Sequence, residues 1–385
     1  VFFARYNARR LIYLDNNATT RVADEVLAAM TPYYRELYGN AHAIHSLGRR
    51  SHDAVENSRA ELALLLGCEV SEVIFTSCGT EGNAMVLRGL VEQNPSRRKV
   101  VTTAVEHPSV LILLRALERA SLIELAIVPV DRNGAIDLDR MRDEIDDATL
   151  LVTIMLAQNE TGVIHPVAQI AELARARGAL VHVDAVQAAG KIPIDQRSLG
   201  ADFVTISGHK FHAPKGIGAL TIRRGLKLQP LWYGGGQELG MRSGTEPVPS
   251  IAGFAAAAKL AREALQSFSR VRALRDRLES EIAARVTNTS VNGATQPRLG
   301  NTANVSFQGV AADALVRALD ANGICVSAGA ACHSGNVEPS STMKAMGLPL
   351  DVAMGAVRFS LSRYTTESEI DRTIEAVASV AAAEA

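Results

Sequence analysis

Cysteine is scarce in this chain: Cys68, Cys78, Cys325 and Cys332 are the only four in 385 residues. That density excludes a disulfide-built scaffold. No Cys-x-x-Cys pair offers metal-ligand spacing, so no resident metal is expected, and the thiols read as belonging to a reducing, cytoplasmic compartment. No apolar run reaches the roughly 20 residues that a membrane helix needs. Neither sign of charge dominates, with 40 basic residues against 41 acidic ones and a net charge of -1. Such a balance gives no field that would hold nucleic acid or an anionic membrane. The segment before Leu11 carries Arg5, Arg9 and Arg10 and no acid, but it lacks the apolar core of a signal peptide. The chain opens on Val1, which reads as a processed or truncated start. There is no internal repeat and no low-complexity linker.

Apolar residues make up 47% of the chain, enough for a large core, and the length favours two domains. Short β-branched runs alternate with helical patterns. Strands are expected at 73–76, 99–103, 125–130, 150–155, 179–184, 203–207 and 218–222, and helices include 108–120 and 166–177. Continuous apolar strands separated by helices indicate a sheet covered on both faces, hence an α/β fold. A long helical stretch at 247–285 is expected to lead into a smaller C-terminal domain with strands near 301–307 and 357–361. The Ala-rich end reads as a fraying helix.

Two of the strands end in chemistry. Val204-Thr205-Ile206-Ser207-Gly208-His209-Lys210 places a lysine just past a buried strand, and Leu180-Val181-His182-Val183-Asp184 ends in an aspartate. Pyridoxal phosphate needs such a pair: a lysine to take its aldehyde and an aspartate to keep its ring nitrogen protonated. Lys215, in an Ala-Pro-Lys-Gly turn, is the weaker candidate because it should be solvated. Thr76-Ser77-Cys78-Gly79-Thr80-Glu81-Gly82-Asn83 joins a strand to a helix. Free N–H groups and small hydroxyls there can cradle a phosphate, although an ordinary capped turn has the same composition. His107 follows a strand and precedes Pro108, where an imidazole can stack on a ring and move protons or simply cap the helix. Asn159 and Gln187 also follow strands and can donate to a ring oxygen, with turn chemistry as the plainer reading.

The stretch Ser327-Ala328-Gly329-Ala330-Ala331-Cys332-His333-Ser334-Gly335-Asn336 has few anchoring side chains and one central cysteine. It should form a mobile, exposed loop of about 327–337. An exposed thiol is a liability unless it is used, and His333 can stabilise its thiolate. Cys325 and Cys68 lie in apolar surroundings and read as packing residues. Arg358, on an alternating strand, can clamp a carboxylate or face solvent.

Together these residues resemble the cysteine desulfurases, fold-type I pyridoxal phosphate enzymes of the class-V aminotransferase family. The resemblance runs from Tyr13-Leu14-Asp15-Asn16-Asn17-Ala18-Thr19-Thr20 to Arg358-Phe359-Ser360-Leu361-Ser362-Arg363. It also includes Glu106-His107, Asn159-Glu160-Thr161-Gly162, His182-Val183-Asp184-Ala185-Val186-Gln187 and Arg242-Ser243-Gly244-Thr245-Glu246. The resemblance implies a mostly parallel seven-stranded sheet in a large cofactor-binding domain at 19–259. A small α+β domain would comprise 1–18 and 260–385. Lys210 would carry the cofactor, Asp184 would pair with the ring nitrogen and His107 would stack and handle protons. Gln187 and Asn159 would hold the ring-oxygen side. Gly79, Thr80, Ser207 and His209 would bind phosphate, and Thr245 would reach the phosphate of a second copy, implying a homodimer. Arg358, with Asn159, would hold the carboxylate of L-cysteine. Cys332 would take the sulfur, pass it to an acceptor protein, and transiently ligate an iron–sulfur cluster. Two departures stand out: Gly39-Asn40-Ala41-His42-Ala43 replaces a Gly-Asn-Pro-Ser-Ser stretch, and Ala330-Ala331-Cys332-His333 resembles selenocysteine lyases. Selenocysteine cleavage and amino-group transfer on the same fold are the alternative activities.

Overall fold

The structure, a computed structural model, describes residues 11–384 except 267, 334 and 335, with backbone alone for 330–333, 336–337 and 383–384. The chain enters through β1 (Ile12–Tyr13), α1 (Asp24–Arg35) and α2 (Ser46–Leu66). An alternating region follows: β2 (Val73–Thr76), α3 (Gly79–Gln93), β3 (Lys99–Thr103), α4 (Pro108–Arg119), β4 (Glu124–Val128), α5 (Leu138–Glu144) and β5 (Thr149–Met155). It continues with α6 (Val167–Ala176), β6 (Leu180–Asp184), α7 (Gln196–Leu199), β7 (Phe203–Ser207) and β8 (Gly218–Ile222). Two helices, α8 (Val248–Leu265) and α9 (Phe268–Arg285), lead to β9 (Thr289–Val291), β10 (Thr302–Phe307), α10 (Ala312–Ala321), β11 (Ile324–Cys325) and β12 (Ser327–Ala328). The last elements are β13 (Ala330–His333), β14 (Asn336–Pro339), α11 (Ser341–Ala345), α12 (Leu350–Met354), β15 (Ala356–Ser360) and α13 (Glu367–Glu384).

The central sheet has seven strands in the order β2-β8-β7-β6-β5-β3-β4. All neighbours pair in parallel except at β8, which runs against both β7 and β2. Strands β2, β3, β5, β7 and β8 are buried at every position. This is why they read as unbroken apolar runs rather than as alternating patterns. Helices cover both faces. One core holds Val152, Ile154, Val183, Val204 and Ile206 beneath α1, α6 and α8. The opposite face packs Ile74, Val100, Leu151 and Phe203 against α3 and α4.

A separate core gathers Ile12 and Leu14 with Val271, Leu278, Val305, Leu315, Phe359 and Ile374. Its four-stranded sheet, β12-β15-β10-β9, is antiparallel. Strand β1 joins β11 in parallel within this core, and the α1 that follows packs against α8 in the central sheet's core.

Two sequence expectations are corrected. The stretch 247–285 is not one helix. The Ala-rich face of α8 packs against α1 and α2, whereas Val271, Leu274, Leu278 and Ile282 of α9 enter the other core. One straight helix cannot aim its apolar stripe at both, and the chain breaks after Leu265. The stretch 327–337 is not a structureless loop either. Ala330–His333 and Asn336–Pro339 pair antiparallel as a hairpin, with Cys332 opposite Val337. The Ser340 N–H closes its base on the Gly329 carbonyl at 2.7 Å. The run of Gly, Ala and Ser residues gives no alternating pattern from which to read this pairing. Among the described residues, no helix is long and apolar enough to cross a membrane.

Candidate active site

In this sheet the carboxyl ends of β2, β3, β5, β6 and β7 open on one side, where α/β proteins place their ligands. The register brings Met155 beside Asp184, and Asp184 beside Thr205. One pocket results. It is lined by Gly79, Thr80, His107, Asn159, Asp184, Gln187, Ser207, His209 and Lys210, together with Cys78, Asn83, Ser109, Met155, Ala157 and Val186. Nine positions singled out in the sequence therefore meet at one place.

Lys210 lies on a single 3-10 turn, Gly208–Lys210, directly after β7. Its Nζ donates to the carbonyls of Asn17 (2.7 Å) and Ala18 (2.8 Å). Burial lowers its pKa from 10.5 to about 8; Arg358 adds to the shift, and Asp184 and Asp15 oppose it. Asp184 is buried. Its Oδ2 accepts from Asn83 Nδ2 at 2.8 Å and its Oδ1 from the Val186 N–H at 3.0 Å. His107 caps α4: its Nδ1 accepts from the Ser109 N–H (3.1 Å) and also meets Ser109 Oγ (2.8 Å). An Nδ1 that accepts from a backbone N–H places the neutral ring's proton on Nε2. Loss of solvent lowers the His107 pKa, with Asp184 opposing and Lys210 adding. The helix cap and the ring at the pocket are thus the same residue in two roles.

The side of the pocket where a phosphate is expected is built from the start of α3 and the end of β7. A Cβ on Gly79 would stand 2.7 Å from Val186 Cγ2, so only glycine lets the helix start approach the β6 turn. Ser207 is buried, and its Oγ has no hydrogen-bond partner among the described residues. A buried hydroxyl left unpaired is costly, and one lining a pocket is suited to an anionic ligand. His209 Nδ1 meets Thr19 Oγ1 at 3.1 Å, and burial lowers its pKa to about 4.

Other expected residues stand differently. Gln187 lines the pocket, but its Nε2 donates to the Asn17 carbonyl (2.9 Å) and its Oε1 accepts from Lys191 (2.7 Å). Arg358 is not on a solvated face. Its guanidinium is buried, ion-paired to Asp15 Oδ1 at 2.7 Å and bonded to the Asn159 carbonyl at 3.1 Å, with no partner for Nε among the described residues. It is not among the residues lining the pocket. Thr245 is exposed and is also outside that lining. Lys215 is exposed, as a solvated turn residue should be. Burial raises the Cys68 thiol to about 12, which makes it inert. Cys325 is half-buried, with Sγ 3.9 Å from Asp320 Oδ1. The Cys332 backbone lies in β13, and its side chain is outside the described residues.

Sequence reading missed Asn83, Asn17, Lys191 and Glu106 as parts of the site. Asn83 lies one helical turn beyond Gly79, so helix spacing was a usable signal. Glu106 is fully enclosed behind His107. Its Oε1 accepts from Thr103 Oγ1 (2.6 Å) and the Met155 N–H (3.0 Å), and its Oε2 has no partner among the described residues. Burial raises its pKa to about 8 against those bonds, and the Asp184 charge adds to the rise.

Comparison with known proteins points the same way. The family model described as Aminotransferase class-V matches residues 12–373. Cysteine desulfurase 2 of Trichormus variabilis is 47% identical over 365 residues, covering 95% of this chain and 92% of that protein. Cysteine desulfurase NifS of Azotobacter vinelandii is 44% identical over 373 residues, covering 96% and 92%. Among solved structures, a NifS-like protein superposes with a TM-score of 0.90 at 37% identity, covering 97% of this chain and 99% of its own. SspA in complex with cysteine superposes at 0.80 with 30% identity, covering 92% and 100%.

Proposed function

This chain belongs to the aminotransferase class-V family and is a cysteine desulfurase, and from that premise we propose that it binds pyridoxal phosphate at the strand ends and moves the sulfur of L-cysteine onto Cys332. The observation that carries this reading is the convergence of Lys210, Asp184 and the unpartnered Ser207 hydroxyl on one pocket. These residues fit the cofactor. Lys210 would hold its aldehyde carbon and Asp184 its ring nitrogen. Gly79, Thr80, Ser207 and His209 would hold its phosphate, with His107 against the ring. Gln187 and Asn159 would take the ring-oxygen side; the Gln187 amide keeps a second N–H after its bond to Asn17. Bound there, the cofactor would hold the substrate's amino group and draw electron density away from its Cα.

The chain's own groups do the rest. With its pKa lowered to about 8, Lys210 Nζ is neutral often enough near neutrality to take the Cα proton. Arg358 would turn its free Nε edge to the substrate carboxylate, oriented by Asp15 and the Asn159 carbonyl. The Cys332 thiolate then attacks the substrate sulfur. The Cβ–S bond breaks and an S–S bond forms on Cys332. A proton delivered to carbon completes alanine, so the sulfur's oxidation is matched by reduction of the carbon. The hairpin carrying Cys332 would deliver the persulfide to an acceptor protein.

The working form would be a homodimer. Trp232 (46% exposed), Tyr233 (73%) and Leu239 (65%) lie on the segment leading to Thr245, an apolar surface suited to a second copy whose phosphate Thr245 would reach. The large unit would be 19–259 and the small unit 1–18 with 260–385. One further reading rests on a resemblance: Ala330-Ala331-Cys332-His333 resembles selenocysteine lyases, which makes selenocysteine the alternative substrate. Incubation with L-cysteine or L-selenocysteine, with alanine quantified, tests both. Alanine from L-cysteine that disappears in Lys210→Ala is expected. Turnover of selenocysteine alone would move the substrate assignment, and amino transfer to a keto acid without alanine would overturn it.

A further inference from the structure

Lys191 is a buried amine without a carboxylate partner among the described residues. It follows β6 in a turn whose Gly190 sits at φ +73, 2.9 Å from Phe211 Cβ and 3.1 Å from Ala261 Cβ for any added Cβ. That close approach drives the Lys191 side chain inward, behind the wall of the pocket. Its exposure is 7%, and its Nζ makes two bonds: to Gln187 Oε1 at 2.7 Å and to Asn17 Oδ1 at 3.1 Å. The charged groups around it are cationic or weakly basic: Lys210, Arg358, His209 and His212. Burial and those charges hold its pKa well below that of an ordinary lysine. Stability alone does not call for an amine in such a place.

The geometry shows what the amine does. Asn17 is saturated. Its Oδ1 accepts from Lys191 and from Asn301 Nδ2 (3.0 Å). Its Nδ2 donates to the Asn159 carbonyl (3.1 Å) and Thr302 Oγ1 (2.9 Å), and its N–H donates to Ser360 Oγ (2.9 Å). Its carbonyl accepts from both Lys210 Nζ (2.7 Å) and Gln187 Nε2 (2.9 Å). A side-chain amide has an oxygen end and a nitrogen end of nearly the same shape. A neighbour that spends its N–H groups on that side holds the oxygen end toward it, and Lys191 Nζ donates there to both Gln187 Oε1 and Asn17 Oδ1. A lysine amine in contact with Gln187 Oε1 turns the Gln187 N–H groups the other way.

We propose that Lys191 is a positioning residue of the desulfurase reaction, fixing the Gln187 amide with its N–H groups toward the cofactor's ring oxygen and fixing the Asn17 carbonyl on which Lys210 rests. The proposal deepens the reading that pyridoxal phosphate binds in this pocket and rests on it. Lys191 touches neither substrate nor cofactor; it acts through Gln187 and Asn17.

The test is the pH titration of the bound cofactor's visible absorbance in the loaded protein, for wild type, Lys191→Met, Gln187→Ala and the double variant. Losing the Gln187 donor favours the protonated ring oxygen, so the midpoint should rise in Gln187→Ala. Lys191→Met should raise it in the same direction by about one unit, tenfold in the proton equilibrium. The double variant should go no further than the larger single one, because both act through one contact. A wild-type midpoint in Lys191→Met, or additive shifts, would overturn the proposal. If Lys191→Met does not fold, Lys191→Arg keeps the donors. It should titrate as wild type, and a midpoint like that of Gln187→Ala would overturn the proposal instead. A wild-type protein that takes up no pyridoxal phosphate would sink the underlying reading, a different outcome from either.

Discussion

The lowered pKa of Lys210 gives a prediction that can be worked through. At pH 7 an amine of ordinary pKa 10.5 is neutral in roughly three molecules in ten thousand, whereas one at about 8 is neutral in roughly one in ten. The gain is about 300-fold in the form that can attack an aldehyde or accept a proton. The sign also follows for stability. The folded pKa lies below the unfolded one, so the unfolded chain binds more protons between about 8 and 10.5, and the folded state gains stability as pH rises through that window. The assay is stopped-flow absorbance of cofactor-free protein mixed with pyridoxal phosphate across pH. Capture should rise about tenfold per unit below the inflection and level off near 8. Arg358→Met should move the inflection up, because Arg358 is the second cause of the lowering after burial. Asp15→Asn should move it down, because Asp15 opposes the lowering. A capture rate still climbing past pH 10, or an inflection indifferent to Arg358, would refute the reasoning.

Other consequences follow from the same geometry. Ser207→Ala should weaken pyridoxal phosphate binding by roughly tenfold or more, the worth of a hydrogen bond to a charged group. It should leave the melting temperature of the cofactor-free protein unchanged or higher, since Ser207 Oγ has no partner to lose. Arg59→Met should cost about 3–5 kcal/mol in urea denaturation, because it strands the buried Glu238 carboxylate that Arg59 grips at 2.7 and 3.0 Å. It should also loosen the turn in which Glu238 and Leu239 hold positive φ (48 and 57). Cys332→Ala should keep the bound cofactor's visible absorbance and lose alanine formation from L-cysteine.

The central sheet was legible because burial on both faces writes itself as apolar runs bounded by turns; 73–76, 99–103, 203–207 and 218–222 coincide with β2, β3, β7 and β8. Lys210, Asp184 and the Gly79 turn were legible for a related reason, since each ends or closely follows a strand and inherits its place from it. What stayed hidden was made by long-range contact. Arg358 meets Asp15 across 343 residues, and Asn17 joins Gln187 with Lys191, Asn301 and Ser360 from three distant parts of the chain. No local pattern encodes such meetings. The break between α8 and α9 was hidden because each half has sound helix composition, and only the separate cores to which they belong force the turn. The hairpin at Cys332 was hidden because Gly, Ala and Ser carry no alternation.

The measurement that bears most directly on the account is mass spectrometry of the Cys332 peptide after the loaded protein has met L-cysteine, with alanine quantified in the same sample. The account expects one added sulfur, about 32 Da, on Cys332 and alanine in matching amount. Alanine formed with no sulfur on Cys332, or sulfur found on Cys78 or Cys325 instead, would contradict it.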